Sequence, residues 1–337
     1  MQEKIERLSK WFSGDKQLPF SLDINPTDSC NLHCLSCWLR NKKFKNLDSK
    51  AYELSDKKLL QLIDEAIELG IREFEISGGG EPLSREVTFE LMKKIKNSKA
   101  KGSITTNGTF FTEDTIKKLV EIGWDRIIFS IDGGNSDINN YLRGKSFDKI
   151  VEDIKKFNEY KKDKPELSFN TVISNKNYNR LKGIVRLSAE LGVGSIKFES
   201  LTIHSKIGKK LELNRKQIEE LQQNISEIDN LSKELNVKTN ILDFMEKEGK
   251  KNDFSNIVCY EPWYHLVIKT DGSVGPCCLS DDKAINVRDM SLKDIWFGSY
   301  FENLRENILK GDFPRYCSIC NVGQVSQNKL IRQELKK

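Results

Sequence analysis

The sequence predicts an α/β fold: a partial (β/α)6 TIM-like barrel followed by a small C-terminal α+β domain. Three observations carry that expectation. Between residues 20 and 201, short apolar runs rich in β-formers alternate with segments whose apolar residues recur at helical spacing, such as Leu59, Ile63, Ala66, Ile67 and then Ile150, Ile154, Phe157. Such alternation is the mark of βαβ units around a parallel sheet. A phrase recurs as E-L-G-I-R-E-F-E-I-S, E-I-G-W-D-R-I-I-F-S and E-L-G-V-G-S-I-K-F-E-S, placing Gly70, Gly123 and Gly192 just after a helix. Glycine takes the left-handed C-cap conformation without a Cβ penalty, and a strand then opens. From Cys259 onward the pattern changes to short strands and turns.

Residues 1–19 read as an N-terminal helical segment of mixed charge. The expected strands are Phe20–Asn25, Glu73–Gly78, Gly102–Asn107, Arg126–Asp132, Leu167–Ile173 and Ser195–Leu201, giving a core over 20–205. Six strands are too few to close an ordinary eight-stranded barrel, so an open or partial one is expected. Residues 206–258 form a bridging region. Its helix over 214–235 carries Ile218, Leu221, Ile225, Ile228, Leu231 and Leu235 on one face, and the stretch Lys247–Asn256 reads as a linker. The domain over 259–322 opens with a strand over Leu266–Thr270, turns at Asp271-Gly272, resumes at Val274 and ends in a helix near Leu292–Leu309. The polar, basic tail over 323–337 is expected to fray.

Bulk properties exclude several classes. The 337 residues carry 55 Lys+Arg against 50 Asp+Glu with the signs interspersed. No basic stripe interleaved with aromatics points to nucleic acid. No apolar run approaches the roughly 18 residues that span a membrane. The start M-Q-E-K-I-E-R-L-S-K-W-F lacks the apolar stretch and cleavage site of a signal peptide. A cytoplasmic chain is expected, and its eight cysteines are then reduced. Three sit at 30–37 and five at 259–320, which suggests two separate metal sites.

The first group lies in D-S-C-N-L-H-C-L-S-C-W, where Cys30, Cys34 and Cys37 follow the first strand. Zinc on these thiols and His33 is one reading, although His33 adjoins Cys34 and the two are awkward to close on one ion. A cubane cluster on three thiolates is the other, and it leaves one iron open to an exogenous amine and carboxylate. The second strand ends in S-G-G-G-E-P, the third in T-T-N-G and the fourth in S-I-D-G. With these motifs in this order, the chain resembles the radical S-adenosylmethionine (radical SAM) superfamily, although Ser36 stands where an aromatic residue is usual and Trp38 follows instead. The resemblance implies a 4Fe-4S cluster on Cys30, Cys34 and Cys37 whose open iron binds S-adenosyl-L-methionine. It implies that Gly79, Gly80 and Glu81 hold that cofactor's amino group, and that Asn107, Ser130 and Asp132 serve its ribose and carboxylate. It also implies a reductase such as flavodoxin or ferredoxin. For Ser130 and Asp132 a turn-capping role is the rival reading. Glu199 qualifies only as a strand-end residue, and Asn175 less so.

In the second group, C-Y-E-P-W-Y-H-L-V-I-K-T-D-G-S-V-G-P-C-C supplies Cys259 and Cys277, and Y-C-S-I-C supplies Cys317 and Cys320. A zinc ribbon on these four thiols is one reading. The segment, with N-V-R-D-M-S-L-K-D-I-W-F-G-S-Y-F after it, also resembles the SPASM/Twitch extension of radical SAM enzymes, which implies a cluster-binding domain with one auxiliary 4Fe-4S cluster. Cys278 is then a spare thiol, a candidate hydrogen donor, and an alternative to Cys277 as ligand. His265 and His204 read as packing or surface residues. Three functions follow from these readings. The first is a radical enzyme that oxidises or epimerises a small polar, carbohydrate-like molecule. The second is a maturase of a ribosomal peptide or protein, and the third an iron–sulfur electron-transfer protein.

Overall fold

The computed structural model describes residues 2–40, 52–249, 259–281 and 283–336. Helix α1 (Gln2–Phe12) precedes β1 (Ser21–Ile24). Then come α2 (Asp56–Glu68), β2 (Glu73–Ile76), α3 (Val87–Asn97), β3 (Lys101–Thr106), α4 (Glu113–Ile122) and β4 (Arg126–Ser130). Two helices, α5 (Ser136–Arg143) and α6 (Phe147–Tyr160), lead to β5 (Glu166–Ile173), and α7 (Leu181–Glu190) leads to β6 (Ser195–Ser200). The short α8 (Lys206–Lys209) and the long α9 (Arg215–Glu234) precede β7 (Lys238–Thr239) and α10 (Ile241–Gly249). The C-terminal part holds β8 (His265–Ile268), β9 (Val274–Gly275), α11 (Leu292–Phe297), α12 (Ser299–Leu309) and α13 (Val322–Glu334).

The strands form one sheet in the order β7-β6-β5-β4-β3-β2-β1-β8-β9. Pairings from β7 to β8 are parallel, and β9 turns back antiparallel on β8. Parallel neighbours need crossovers, which the helices supply on the outer face. The three glycines of the recurring phrase have φ of +74°, +67° and +62° at Gly70, Gly123 and Gly192, so each ends its helix in the left-handed region.

Successive residues of a strand face opposite ways, and here the two faces differ sharply in chemistry. Leu22, Ile24, Ile76, Ile104, Phe129, Phe169, Ile196, Phe198 and Leu266 belong to the buried apolar core under the helices. Ser21, Asp23, Glu75, Thr105, Asn170, Lys197, Glu199 and His265 instead line a cavity of about 920 Å³. A closed eight-stranded barrel fills its interior with branched apolar side chains. This one keeps a wide polar interior.

Several expectations change in detail. Beyond the six expected strands, β7 extends one edge and the β8–β9 hairpin joins the other beside β1, so the C-terminal region shares the barrel's sheet. The expected helix near Leu292–Leu309 is broken at Gly298, whose extended backbone (φ −75°, ψ 166°) caps α11 and starts α12. A Cβ at Gly298 would stand 2.6 Å from the Asp294 carbonyl oxygen. Of the expected linker Lys247–Asn256, residues 247–249 end α10 and the remainder lies outside the described residues. The tail does not fray: from Val322 it is α13, which buries Val322 and Ile331 and packs along β6 and α10. Its hydrophobic periodicity is too weak to announce it. Asn328, a polar residue, does part of the packing by accepting from the Tyr260 N–H at 2.6 Å.

Candidate active site

The loop after β1 carries Cys30, Cys34 and Cys37, and the glycine loop after β2 is laid against its backbone. Gly80 N–H donates to the Thr27 carbonyl (2.9 Å) and Glu81 N–H to that of Ser29 (2.8 Å). A Cβ on Gly79 would sit 1.7 Å from Asp28 Oδ1, and one on Gly80 2.1 Å from the Ser29 carbonyl oxygen. Only glycine permits so close an approach. Asp28 in turn accepts from the Tyr52 hydroxyl (2.6 Å) and the Thr270 hydroxyl (2.8 Å), tying the cysteine loop to the turn after β8.

The resemblance implies that Glu81, with Gly79 and Gly80, holds the cofactor's amino group; in the structure Glu81 also has partners within the protein. Its carboxylate is buried, accepting from the Thr106 hydroxyl (2.6 Å), the Asn107 N–H (2.6 Å) and the Leu83 N–H (3.2 Å). Burial pushes its pKa up. Glu81 therefore fixes the glycine loop to the end of β3. Asn107 lies beside the thiols: its Nδ2 donates to Asn31 Oδ1 (3.0 Å) and contacts Cys30 Sγ at 3.7 Å. Asp132 accepts from the Val172 N–H (2.8 Å) and from Arg143 (2.8 Å), so it positions a cation. Ser130 is half-buried at the end of β4, paired in register with Asn170.

Arg143, at the end of α5, is the feature that motif reasoning misses, because nothing in the local sequence marks it. Burial works against its charge, and Asp132 with the thiols of Cys34 and Cys37 more than offsets that, holding the guanidinium above its ordinary range. Its carbonyl oxygen lies 3.5 Å from Cys34 Sγ. Burial pushes the Cys34 and Cys37 thiols up, which a bound metal would reverse. Cys37, Ser36 and Trp38 face the barrel cavity.

The second group is assembled by the β8–β9 hairpin and the turn before α13. Cys259, Cys277, Cys317 and Cys320 line one small cavity, with Glu261, Tyr316 and Gln324 completing its wall. Burial pushes the Cys277 thiol up to about 12, that of Cys317 to about 11 and that of Cys320 to about 12. Cys278 points elsewhere. It lines the barrel cavity, where Asn321 Nδ2 lies 3.8 Å from its sulfur. Among the described residues no three His, Cys, Asp or Glu side chains gather as a site for a single metal ion. Both groups are sulfur donor sets, which suit an iron–sulfur cluster.

Between the two groups lies the barrel cavity. Lys197 Nζ is 2.6 Å from Glu199 Oε1, and Glu199 Oε2 accepts from the Val322 N–H at the start of α13 (3.2 Å). Glu75 accepts from the Thr105 hydroxyl (2.9 Å). His265 is no mere packing residue: its Nδ1 lies 2.8 Å from Ser21 Oγ and its Nε2 3.6 Å from Asp23 Oδ2. His204 lines the same cavity, whereas Asn175 is spent on the carbonyls of Lys210 (2.8 Å) and Glu212 (3.2 Å). The signal for the polar wall was present in S-L-D-I, E-F-E-I and S-I-K-F-E-S, where charged residues alternate with apolar ones.

Known proteins resemble this chain along most of its length. The radical SAM superfamily model matches residues 24–188, and the SPASM iron–sulfur cluster-binding domain matches residues 259–321. The AdoMet-dependent heme synthase of Methanosarcina barkeri is 26% identical over 317 residues, covering 89% of this chain and 87% of the relative. A probable GTP 3′,8-cyclase of Methanococcus aeolicus is 28% identical over 272 residues, covering 79% and 88%. Among solved structures, Streptococcus suis SuiB bound to S-adenosylmethionine superposes with TM-score 0.69 at 19% identity, covering 95% of this chain and 76% of that one. Native anSMEcpe with bound AdoMet gives 0.66 at 20%, covering 94% and 97%.

Proposed function

From the premise that this chain belongs to the radical SAM superfamily and ends in a SPASM iron–sulfur domain, we propose that it oxidises a small polar, carbohydrate-like molecule inside the barrel cavity. When bound, a 4Fe-4S cluster with S-adenosyl-L-methionine supplies a 5′-deoxyadenosyl radical that removes a substrate hydrogen atom, and an auxiliary cluster supplies a one-electron acceptor. Cys30, Cys34 and Cys37 would hold the first cluster. Cys259, Cys277, Cys317 and Cys320 would hold one auxiliary cluster. Gly79 and Gly80 let the cysteine loop pack against their backbone, where the cofactor's amino group would be held, Glu81 keeps their loop in place, and Asn107 sits against Cys30. Arg143, held by Asp132 beside the thiols, is placed to take an anionic group such as the cofactor's carboxylate.

One observation carries the oxidative reading. Four thiols surround the second site, so a cluster there has no open iron for substrate, and Glu261 lines both that site and the barrel cavity. An electron acceptor is what such a neighbour can be. The cavity wall supports the substrate class, since its hydroxyl, amide and charged groups can meet the hydroxyls of a polyhydroxylated molecule and its apolar surface the carbon skeleton.

Epimerisation is the second reading, favoured by Cys278. Its thiol lines the same cavity as Cys37 and could return a hydrogen atom to a substrate held there. The reconstituted enzyme, incubated with dithionite, S-adenosyl-L-methionine and a panel of sugars, cyclitols and nucleosides, tests both. Oxidation predicts 5′-deoxyadenosine release above the substrate-free rate and a product two mass units lighter, with Cys278→Ser active. Epimerisation predicts unchanged mass, a gain of one in deuterium oxide, and an inactive Cys278→Ser. Stimulation by peptides alone overturns the small-molecule reading.

A further inference from the structure

Oxidation of an alcohol must dispose of a proton as well as an electron, and no group named so far takes it. The cavity wall offers a candidate where β1 and β8 run side by side. Ser21 and His265 are register partners, as are Asp23 and Val267, so Asp23 and His265 face inward one step apart. The imidazole Nδ1 is hydrogen-bonded to Ser21 Oγ at 2.8 Å, and the Asp23 carboxylate lies at ion-pair distance from Nε2, 3.6 Å away. It is buried, yet it lines the cavity shared with Cys37 and Cys278. His265 also opens the strand whose hairpin leads to Cys277.

We propose that the Asp23–His265 pair is the proton acceptor of the site, taking the hydroxyl proton of the substrate as its electron leaves for the auxiliary iron–sulfur cluster. The inference rests on the oxidative reading above. The step balances as follows. The alcohol carbon first loses a hydrogen atom to the 5′-deoxyadenosyl radical, leaving an α-hydroxyalkyl radical. Formation of the C=O bond then releases one proton to Asp23–His265 and one electron to the cluster, which is reduced by one.

The surroundings suit a group that gains a proton when a negative charge arrives nearby. His265 faces Lys4 from α1, Asp23 from β1, Glu75 from β2, and Glu261 and Tyr264 from the segment before β8, while Lys4 is drawn off to Glu73 at 3.4 Å. Burial pushes the imidazole down, but the negative charges of Asp23 and Glu261 more than offset it and hold the pKa above the usual imidazole range. An added electron on the cluster raises it further. Proton uptake therefore accompanies reduction at pH values between the imidazole's pKa with the cluster oxidised and its pKa with the cluster reduced.

The test needs no substrate. The midpoint potential of the auxiliary cluster is measured by EPR-monitored titration from pH 6 to 9 in the wild type, His265→Gln and Asp23→Asn, each checked for iron content. One proton per electron is a tenfold change per pH unit, about 59 mV for one electron. The wild-type potential should fall with pH by up to that slope, and His265→Gln should be flat. Asp23→Asn should shift the sloping region to lower pH, because the imidazole loses its counter-charge. A pH-independent wild-type potential, or a slope unaltered by both substitutions, overturns the proposal. If iron analysis of the wild type finds no second cluster, it is the underlying oxidative reading that fails.

Discussion

At the scale of single residues, the loops of the candidate site depend on hydrogen bonds made within the protein itself. Glu81 is the clearest case: its carboxylate is the acceptor for Thr106 and for the Asn107 N–H. Glu81→Ala leaves both donors buried without an acceptor, at roughly 1–3 kcal/mol each. The Asn107 amide should then lose hydrogen-exchange protection and the thermal midpoint should fall; full protection in the variant would contradict the assignment. Arg143 makes a different prediction. If it holds the cofactor's carboxylate, Arg143→Met removes a charge-assisted bond of about 1.5–3 kcal/mol, so the dissociation constant for S-adenosyl-L-methionine rises roughly 10- to 150-fold. Calorimetry on the reconstituted enzyme checks this, and an unchanged constant rules the contact out. The loops of Cys30, Cys34, Cys37 and the glycines were legible from sequence because each motif is one short local run. Arg143 and His265 were not, because each gains its role from partners on other strands and helices.

At the scale of elements, regular alternation made the barrel readable. Each central strand shows a period of two and each helix an apolar stripe, and tertiary packing agrees with both. Where packing relies on polar residues the signal disappears, as in α13. That helix buries Ile331 fully, and its first N–H group, that of Val322, meets Glu199 on β6. Ile331→Ala should therefore destabilise the protein by about 2–5 kcal/mol in anaerobic urea titration. A fraying tail would show no change. Deleting residues 322–336 should expose β6 and raise hydrogen exchange across Ser195–Ser200, whereas unaltered exchange there would show that α13 does not cover the strand.

At the scale of the whole molecule, two groups of thiols lie on either side of one polar cavity within a single sheet, and the β8–β9 hairpin brings the second group to the edge of the first strand. No helix among the described residues is long and apolar enough to cross a membrane. The account stands on seven of the eight cysteines acting as two independent sets of cluster ligands. The most direct test is the iron and acid-labile sulfide content of anaerobically reconstituted protein, in the wild type and in a variant with Cys30, Cys34 and Cys37 changed together to Ala. The wild type should hold about eight irons and eight sulfides per chain, as two cubanes, and the variant about four of each. Stoichiometric zinc without sulfide in the wild type, or loss of all iron from the variant, would contradict it.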